Sequence, residues 1–151
     1  MIDLVAAEKL PKEAGIVEAV PFSALKNFFQ PKNPGETRAQ CRMKNAILYS
    51  KSYEIDEGAI KELAGVGGSV VFSLSDILRE KGFRRGIMLS KMRLALSSCR
   101  KSGCGLLVCT LAADANSVRT ARELESFMAV LGMTEQEMTL AKECSEKLVR
   151  A

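Results

Sequence analysis

Apolar residues fall along this chain in two rhythms: short unbroken runs, and stripes at helical spacing. The runs IDLVAA (2–7), IVEAVPF (16–22), AILYS (46–50), SVVFS (69–73) and GLLVCTL (105–111) are short and apolar, mostly rich in Val, Ile and Leu, and predict strands. GLLVCTL is continuously apolar up to its threonine, as a strand covered on both faces requires. SALKNFF (23–29) predicts a short helix after Pro21, and QPKNPGETRAQCRMKN (30–45), with two prolines and a glycine, predicts a long loop. DEGAIKELAGVGG (56–68) has acids at its start and glycines at its end, so the macrodipole and C-cap rules both predict a helix. LSDILREKG (74–82) predicts a short helix or turn, and a long helix follows from about Arg84 to Lys101, ended by Gly103.

Asn116 or Ser117 is the expected cap of the next helix, 118–131, whose Leu124, Phe127, Met128 and Leu131 recur at three and four. Gly132 stops it, and TEQE (134–137) forms a capping box, with Glu137 reaching back to Thr134 at the head of a last helix running to about Val149. Strands alternating with helices imply an α/β fold with a mainly parallel sheet. A length of 151 residues fits one domain, expected to span 1–151.

Composition adds mostly exclusions. An apolar fraction of 47% and a charged fraction of 26% are ordinary for a globular chain. No window approaches the ~20 apolar residues that a bilayer span needs. The opening MIDLVAAEKLPKEAG has early acids and no long apolar run, so no signal peptide and a cytoplasmic location are expected. The chain has no histidine, which removes imidazole as base, triad member or metal ligand. Its five cysteines are odd in number and lack CxxC spacing, so buried free thiols are expected rather than disulfides or a zinc site. Asp3, Glu18 and Asp114 fall near strand ends and read as caps or surface residues.

Charge changes the picture more. The net charge is +4, but residues 79–103 (REKGFRRGIMLSKMRLALSSCRKSG) hold eight of the 22 bases and one of the 18 acids. At 100° per residue, Met88, Leu89, Met92, Ala95, Leu96 and Cys99 occupy one arc of about 120°, the expected core face. Arg93 and Arg100 lie at one edge of it, with Lys91 and Arg84 near the other and Ser90, Ser97 and Lys101 outside. Ile87 and Leu94 also point outward. No acid stands at (i, i+4) within 84–101 to compensate these charges. Five of the eight bases are arginines, whose planar fork suits phosphate. Phe83 is the lone aromatic of the segment, so contact with a nucleic-acid backbone is expected rather than base stacking.

The stretch SVVFSLSDILREKGFRRGIMLSKMRLALSSCRKSGCGLLVCT (69–110) resembles the archaeal ribonuclease P protein component 3 family, relatives of the thirty-kilodalton subunits of eukaryotic ribonuclease P and RNase MRP. The matching residues are Phe72-Ser73-Leu74-Ser75, Arg85, Leu89-Ser90, Met92-Arg93-Leu94, Arg100-Lys101 and Gly103. VRTARELESFMAVLGM (118–133) continues the match through Arg119, Arg122, Leu124 and the Leu131-Gly132-Met133 turn, so residues 46–151 carry the resemblance. The chain is similar to a shortened member. TLAA (110–113) stands where the family has TSGA, and residues 1–45 match poorly.

The resemblance implies a partial TIM-barrel-like (β/α) fold of the polymerase-and-histidinol-phosphatase type, with no metal site in use and no cofactor. A closed eight-stranded barrel typically takes about 200–250 residues, so closure is not expected. It also implies a non-catalytic subunit of an endonuclease complex. Such a subunit assists the ribonuclease P RNA in cutting the 5′ leader from precursor tRNA and pairs with protein component 2. The residues expected to bind RNA or that partner are Arg84, Arg85, Lys91, Arg93, Arg100, Lys101, Arg119 and Arg122. Self-association is a further possibility that exposed sheet edges raise. Two other readings stay open: a small phosphoesterase-like enzyme using carboxylates and a basic phosphate site, and a protein–protein module docking through Ile87 and Leu94.

Overall fold

A computed structural model describes residues 2–5, 18–113, 117 and 119–150. Six parallel strands and six helices make up the described chain: β1 (Ile2–Val5), β2 (Glu18–Pro21), β3 (Phe28–Phe29), α1 (Pro34–Gln40), β4 (Ile47–Leu48), α2 (Glu57–Gly65), β5 (Ser69–Ser73), α3 (Leu74–Arg79), α4 (Gly82–Ser102), β6 (Gly105–Cys109), α5 (Ala121–Leu131) and α6 (Glu135–Arg150). The strand residues expected at 6–7 and 16–17, Asp114, Asn116 and the side chain of Glu18 lie outside the described residues.

β3, β4, β5 and β6 pair in chain order, all parallel, and β1 pairs with β2, also parallel. Helices carry the chain back between successive strands from β3 to β6, as parallel pairing demands. The two sheets meet where the Leu111 N–H donates to the Leu4 carbonyl at 2.9 Å, just past β6. The strands therefore follow one another as β2, β1, β6, β5, β4, β3. After β2 the ring of Phe22 stacks on Phe28 of β3, with centroids 4.7 Å apart. This is a mixed α/β architecture compatible with a partial barrel-like fold.

Every residue of β5 is buried, because helices cover one face and the core the other. Phe72, Ile47, Leu48 and Leu107 meet Ile60 and Leu63 of α2 and Met92 and Leu96 of α4 in one cluster. Leu124, Phe127, Met128 and Leu131 of α5 join it beside α4, at the spacing the sequence shows.

Four local expectations change. The expected loop 30–45 contains α1: Asn33 caps it by accepting from the Glu36 N–H at 2.9 Å, and Pro34 sits at the first helical position, where no N–H is needed. Residues 23–29 form a single 3-10 turn (Phe22–Ala24) and then β3, not a helix. The cap of α5 is Thr120, not Asn116 or Ser117; Thr120 and Glu123 form a reciprocal capping box, at 2.8 and 3.2 Å. Strand β6 ends at Cys109 because the chain turns at Leu111, whose φ is 48°, to meet β1.

Asp3 corrects its expected role as a cap or surface residue. It is fully buried, and its carboxylate accepts from the Thr110 N–H at 2.7 Å and from the Thr110 hydroxyl. Burial raises its pKa to about 6, against the opposing effect of those hydrogen bonds. A second buried carboxylate, Asp76, accepts from the hydroxyls of Tyr49 at 2.8 Å and Tyr53 at 2.7 Å, and the Tyr53 hydroxyl accepts in turn from the Ser73 N–H at 2.9 Å. Burial first, and then the Asp76 charge, hold both phenols well above their ordinary range.

Candidate nucleic-acid interface

Helix α4 positions the basic cluster. It begins without a side-chain cap, runs for 21 residues and ends at Gly103, whose φ of 68° is the left-handed turn a glycine accommodates. Arg100 and Lys101 fall in its last turn, where the macrodipole favours cations. The expected core face is confirmed: Met92, Ala95, Leu96 and Cys99 are buried, and Met88 and Leu89 pack at its margin. Diametrically opposite, Phe83 (83% exposed), Ile87 and Leu94 (70% exposed) form an apolar stripe facing outward.

The bases divide into two groups by what they touch. Along the edge facing α5 and α6, Arg93 donates to the Val130 carbonyl at 2.9 Å. Arg100 forks onto both carboxylate oxygens of Glu137, at 2.6 and 2.9 Å, and also donates to the Gly132 carbonyl at 3.2 Å. These two arginines bridge α4 to the C-terminal end of α5 and the first turn of α6. Glu137, besides closing its capping box with Thr134, is held below the usual carboxylate range chiefly by its hydrogen bond from Arg100. On the other edge Lys91 pairs with Glu54 at 2.8 Å. Compensation thus comes from Glu54 and Glu137, distant in sequence, where a search within the helix finds none.

The remaining bases stay available. Arg85 donates one Nε–H to the Glu80 carbonyl at 2.9 Å and keeps its outer nitrogens free of a partner among the described residues. Arg84, Lys101 and Arg122 are exposed, and none of their side chains has a hydrogen-bonding or ion-pair partner among the described residues. Arg119 is half-buried ahead of α5. Because α4 and α5 both return from the C-terminal ends of parallel strands, Arg84, Arg85, Arg119 and Arg122 lie toward the same end of the sheet.

A cavity of about 340 Å³ opens at that end, beyond β3 and β4, with Lys32, Thr37, Arg38, Ser50, Ser52 and Glu54 among its lining residues. Its link to α4 is Glu54, the partner of Lys91. The sequence reading missed Lys32 and Arg38 because they sit in the segment it took for loop; the signal that marks them is the Asn33-Pro34 cap. Among the described residues no group of three His, Cys, Asp or Glu side chains is placed to hold a metal ion. No described helix is long and apolar enough to cross a membrane.

No family model matches the chain. Among curated proteins the chain is similar to ribonuclease P protein component 3 of Archaeoglobus fulgidus, with 28% identity over 109 residues, covering 72% of this chain and 53% of that protein. The chain spans about half the length of this relative, and the likeness points to a distant kinship with that component.

Proposed function

We propose that the chain is a non-catalytic protein subunit of ribonuclease P, assisting the RNA subunit in removing the 5′ leader from precursor tRNA. The observation that carries this reading is the face of α4 and the start of α5. Arg84 and Arg85 at the start of α4, Arg122 in the first turn of α5 and Lys101 in the last turn of α4 keep donors without an acidic partner among the described residues. Unpaired arginines and lysines on one side of a molecule lower the cost of bringing RNA phosphates together, and they release counterions on binding. Lys91 and Arg119 flank that surface. Arg93 and Arg100 serve it indirectly, by fixing α5 and α6 against α4. The strand succession supports a shortened barrel of the polymerase-and-histidinol-phosphatase type as the scaffold. Its expected partners are the ribonuclease P RNA, precursor tRNA and protein component 2, at a cytoplasmic location.

The test is reconstitution with the ribonuclease P RNA and component 2. Adding the chain should lower the Mg²⁺ concentration needed for cleavage of precursor tRNA. Unchanged cleavage at every Mg²⁺ concentration defeats the reading.

The outward stripe of Phe83, Ile87 and Leu94 favours a second reading, a protein–protein module. Salt separates the two: binding through several phosphates weakens steeply as salt rises, and apolar docking does not. The phosphoesterase-like reading has less support, since the carboxylate of Asp3 is buried against Thr110 and that of Asp76 against two tyrosines.

A further inference from the structure

Four of the five cysteines gather at the edge where β5 and β6 begin. Cys104 immediately precedes β6, and Cys99 lies in the last turns of α4. The Cys144 sulfur stands 3.1 Å from the hydroxyl of Ser69, the first residue of β5. Cys104 is their common neighbour: its thiol donates to the Gly68 carbonyl at 3.6 Å, and it is close enough to Cys99, Cys41 and Cys144 to act on all three electrostatically. A cavity of about 630 Å³ opens against this cluster, with Cys99, Cys104, Cys144, Ser69, Arg100 and Lys147 in its walls.

The end of α4 places two of these thiols side by side. Gly103 turns left-handed, and the Cys104 N–H donates back to the Cys99 carbonyl at 3.0 Å. This is the outer hydrogen bond of a Schellman turn, a geometry that brings the side chains of its two end residues into contact. An apolar pair is usual there; this chain has a thiol at both places. Both residues are buried, Cys99 fully and Cys104 with 7% of its surface exposed, and both form part of the cavity wall, so a small oxidant reaches the pair at Cys104.

We propose that Cys99 and Cys104 are a reversible oxidation site, closing to a disulfide when hydrogen peroxide enters the adjoining cavity. Cys104 reacts first. Its neighbour Cys99 holds the Cys104 thiol below its ordinary range, whereas burial pushes the Cys41, Cys109 and Cys144 thiols up. The Cys104 thiolate attacks one peroxide oxygen, the O–O bond breaks, and the departing hydroxide takes up the proton that Cys104 gave away, forming water. The Cys99 sulfur then attacks the resulting sulfenic acid, the S–O bond breaks, and the hydroxide leaves with the Cys99 proton as a second water. Two electrons pass from the thiols to the peroxide. A dithiol reverses the reaction by exchange.

The turn can accommodate the bond. An S–S bond is about 2.0 Å, so the two sulfurs must draw together. Nothing lies within 4 Å of where a Gly103 side chain would begin, so the turn has room to adjust. The ring so closed contains Arg100 and Lys101.

Trypsin makes the test direct, since it cuts after Arg100 and Lys101 and leaves the two cysteines on separate peptides, 94–100 and 102–119. The full chain is treated with hydrogen peroxide under native conditions, free thiols are alkylated, and the digest is read by mass spectrometry. The expected result is a linked 94–100/102–119 pair joined through Cys104, reversed by dithiothreitol, retained in C144S and absent from C99A. Linkage of Cys104 to Cys144 or Cys41 instead, linkage through Cys109, or full alkylation of Cys99 and Cys104 after treatment would overturn the proposal. The mapping in the unsubstituted chain needs no variant to fold.

Discussion

Arg100 and Glu137 form a two-pronged ion pair between α4 and α6, with both guanidinium–carboxylate contacts at or below 2.9 Å. One guanidinium also satisfies the carbonyl of Gly132, the left-handed residue that ends α5. One side chain therefore ties three helices together, and the same acid closes the capping box that starts α6.

Replacing Arg100 by Ala should cost about 1 kcal/mol, a value tempered by the solvent around the half-exposed arginine. Chemical denaturation checks it, and the R100A/E137Q double variant should show non-additivity. The carboxyl of Glu137 titrates lower in the folded state, so its contribution is present above the unfolded pKa of 4.5 and is lost as pH falls through the lower, folded value. The E137Q protein should therefore lose less stability than the unsubstituted chain as pH drops below 4.5.

Asp3 has the opposite sign. Its folded pKa of about 6 lies above the ordinary value of 3.8, so the protonated form stabilises the fold. That stability is fully present below 3.8 and is lost as pH rises through about 6. Asp3→Asn should flatten the pH dependence of the melting temperature between these values. A shift of two units corresponds to roughly 3 kcal/mol at most between the two ends of the window. An unchanged slope in the variant would remove Asp3 as its source.

Tyr53→Phe should destabilise by about 1–3 kcal/mol. It leaves the buried Ser73 N–H without its acceptor and takes one donor from Asp76. Tyr49→Phe removes a donor but orphans no backbone group, so its cost should be smaller. Equal losses in denaturant melts would contradict this ordering.

The two groups of bases should separate in a binding experiment. R84A and K101A should leave the melting temperature unchanged while weakening binding to ribonuclease P RNA, each lowering the salt slope by about 1. R93A should instead lower stability by about 1 kcal/mol, because the Val130 carbonyl loses its donor. If R84A and K101A bind RNA with an unchanged salt slope, the outward face of α4 is not the RNA surface.

Much of the fold was legible because local rules decided it. SVVFS and GLLVC are apolar enough to become only buried strands, and Leu124, Phe127, Met128 and Leu131 repeat at a spacing that fixes the inner face of α5. The Thr134–Glu137 box and the Gly103 and Gly132 stops depend on neighbours within a few residues, so sequence suffices for them. The two prolines of 30–45 misled for an equally local reason: at the first position of a helix a proline costs nothing, and Asn33 shows that this is such a position.

The composition and order of residues by themselves determined the α/β alternation, the inner face of α4 and the concentration of positive charge on it. Tertiary structure alone decided which of those charges stay available. Arg93 and Arg100 look alike on a helical wheel to any other edge arginine, and only the packing of α5 and α6 brings Val130, Gly132 and Glu137 within reach. Asp3 is buried for the same kind of reason: its partner, Thr110, is 107 residues away. Ion pairs and hydrogen bonds act over a few ångströms of space, and sequence reports spatial distance only for near neighbours in the chain.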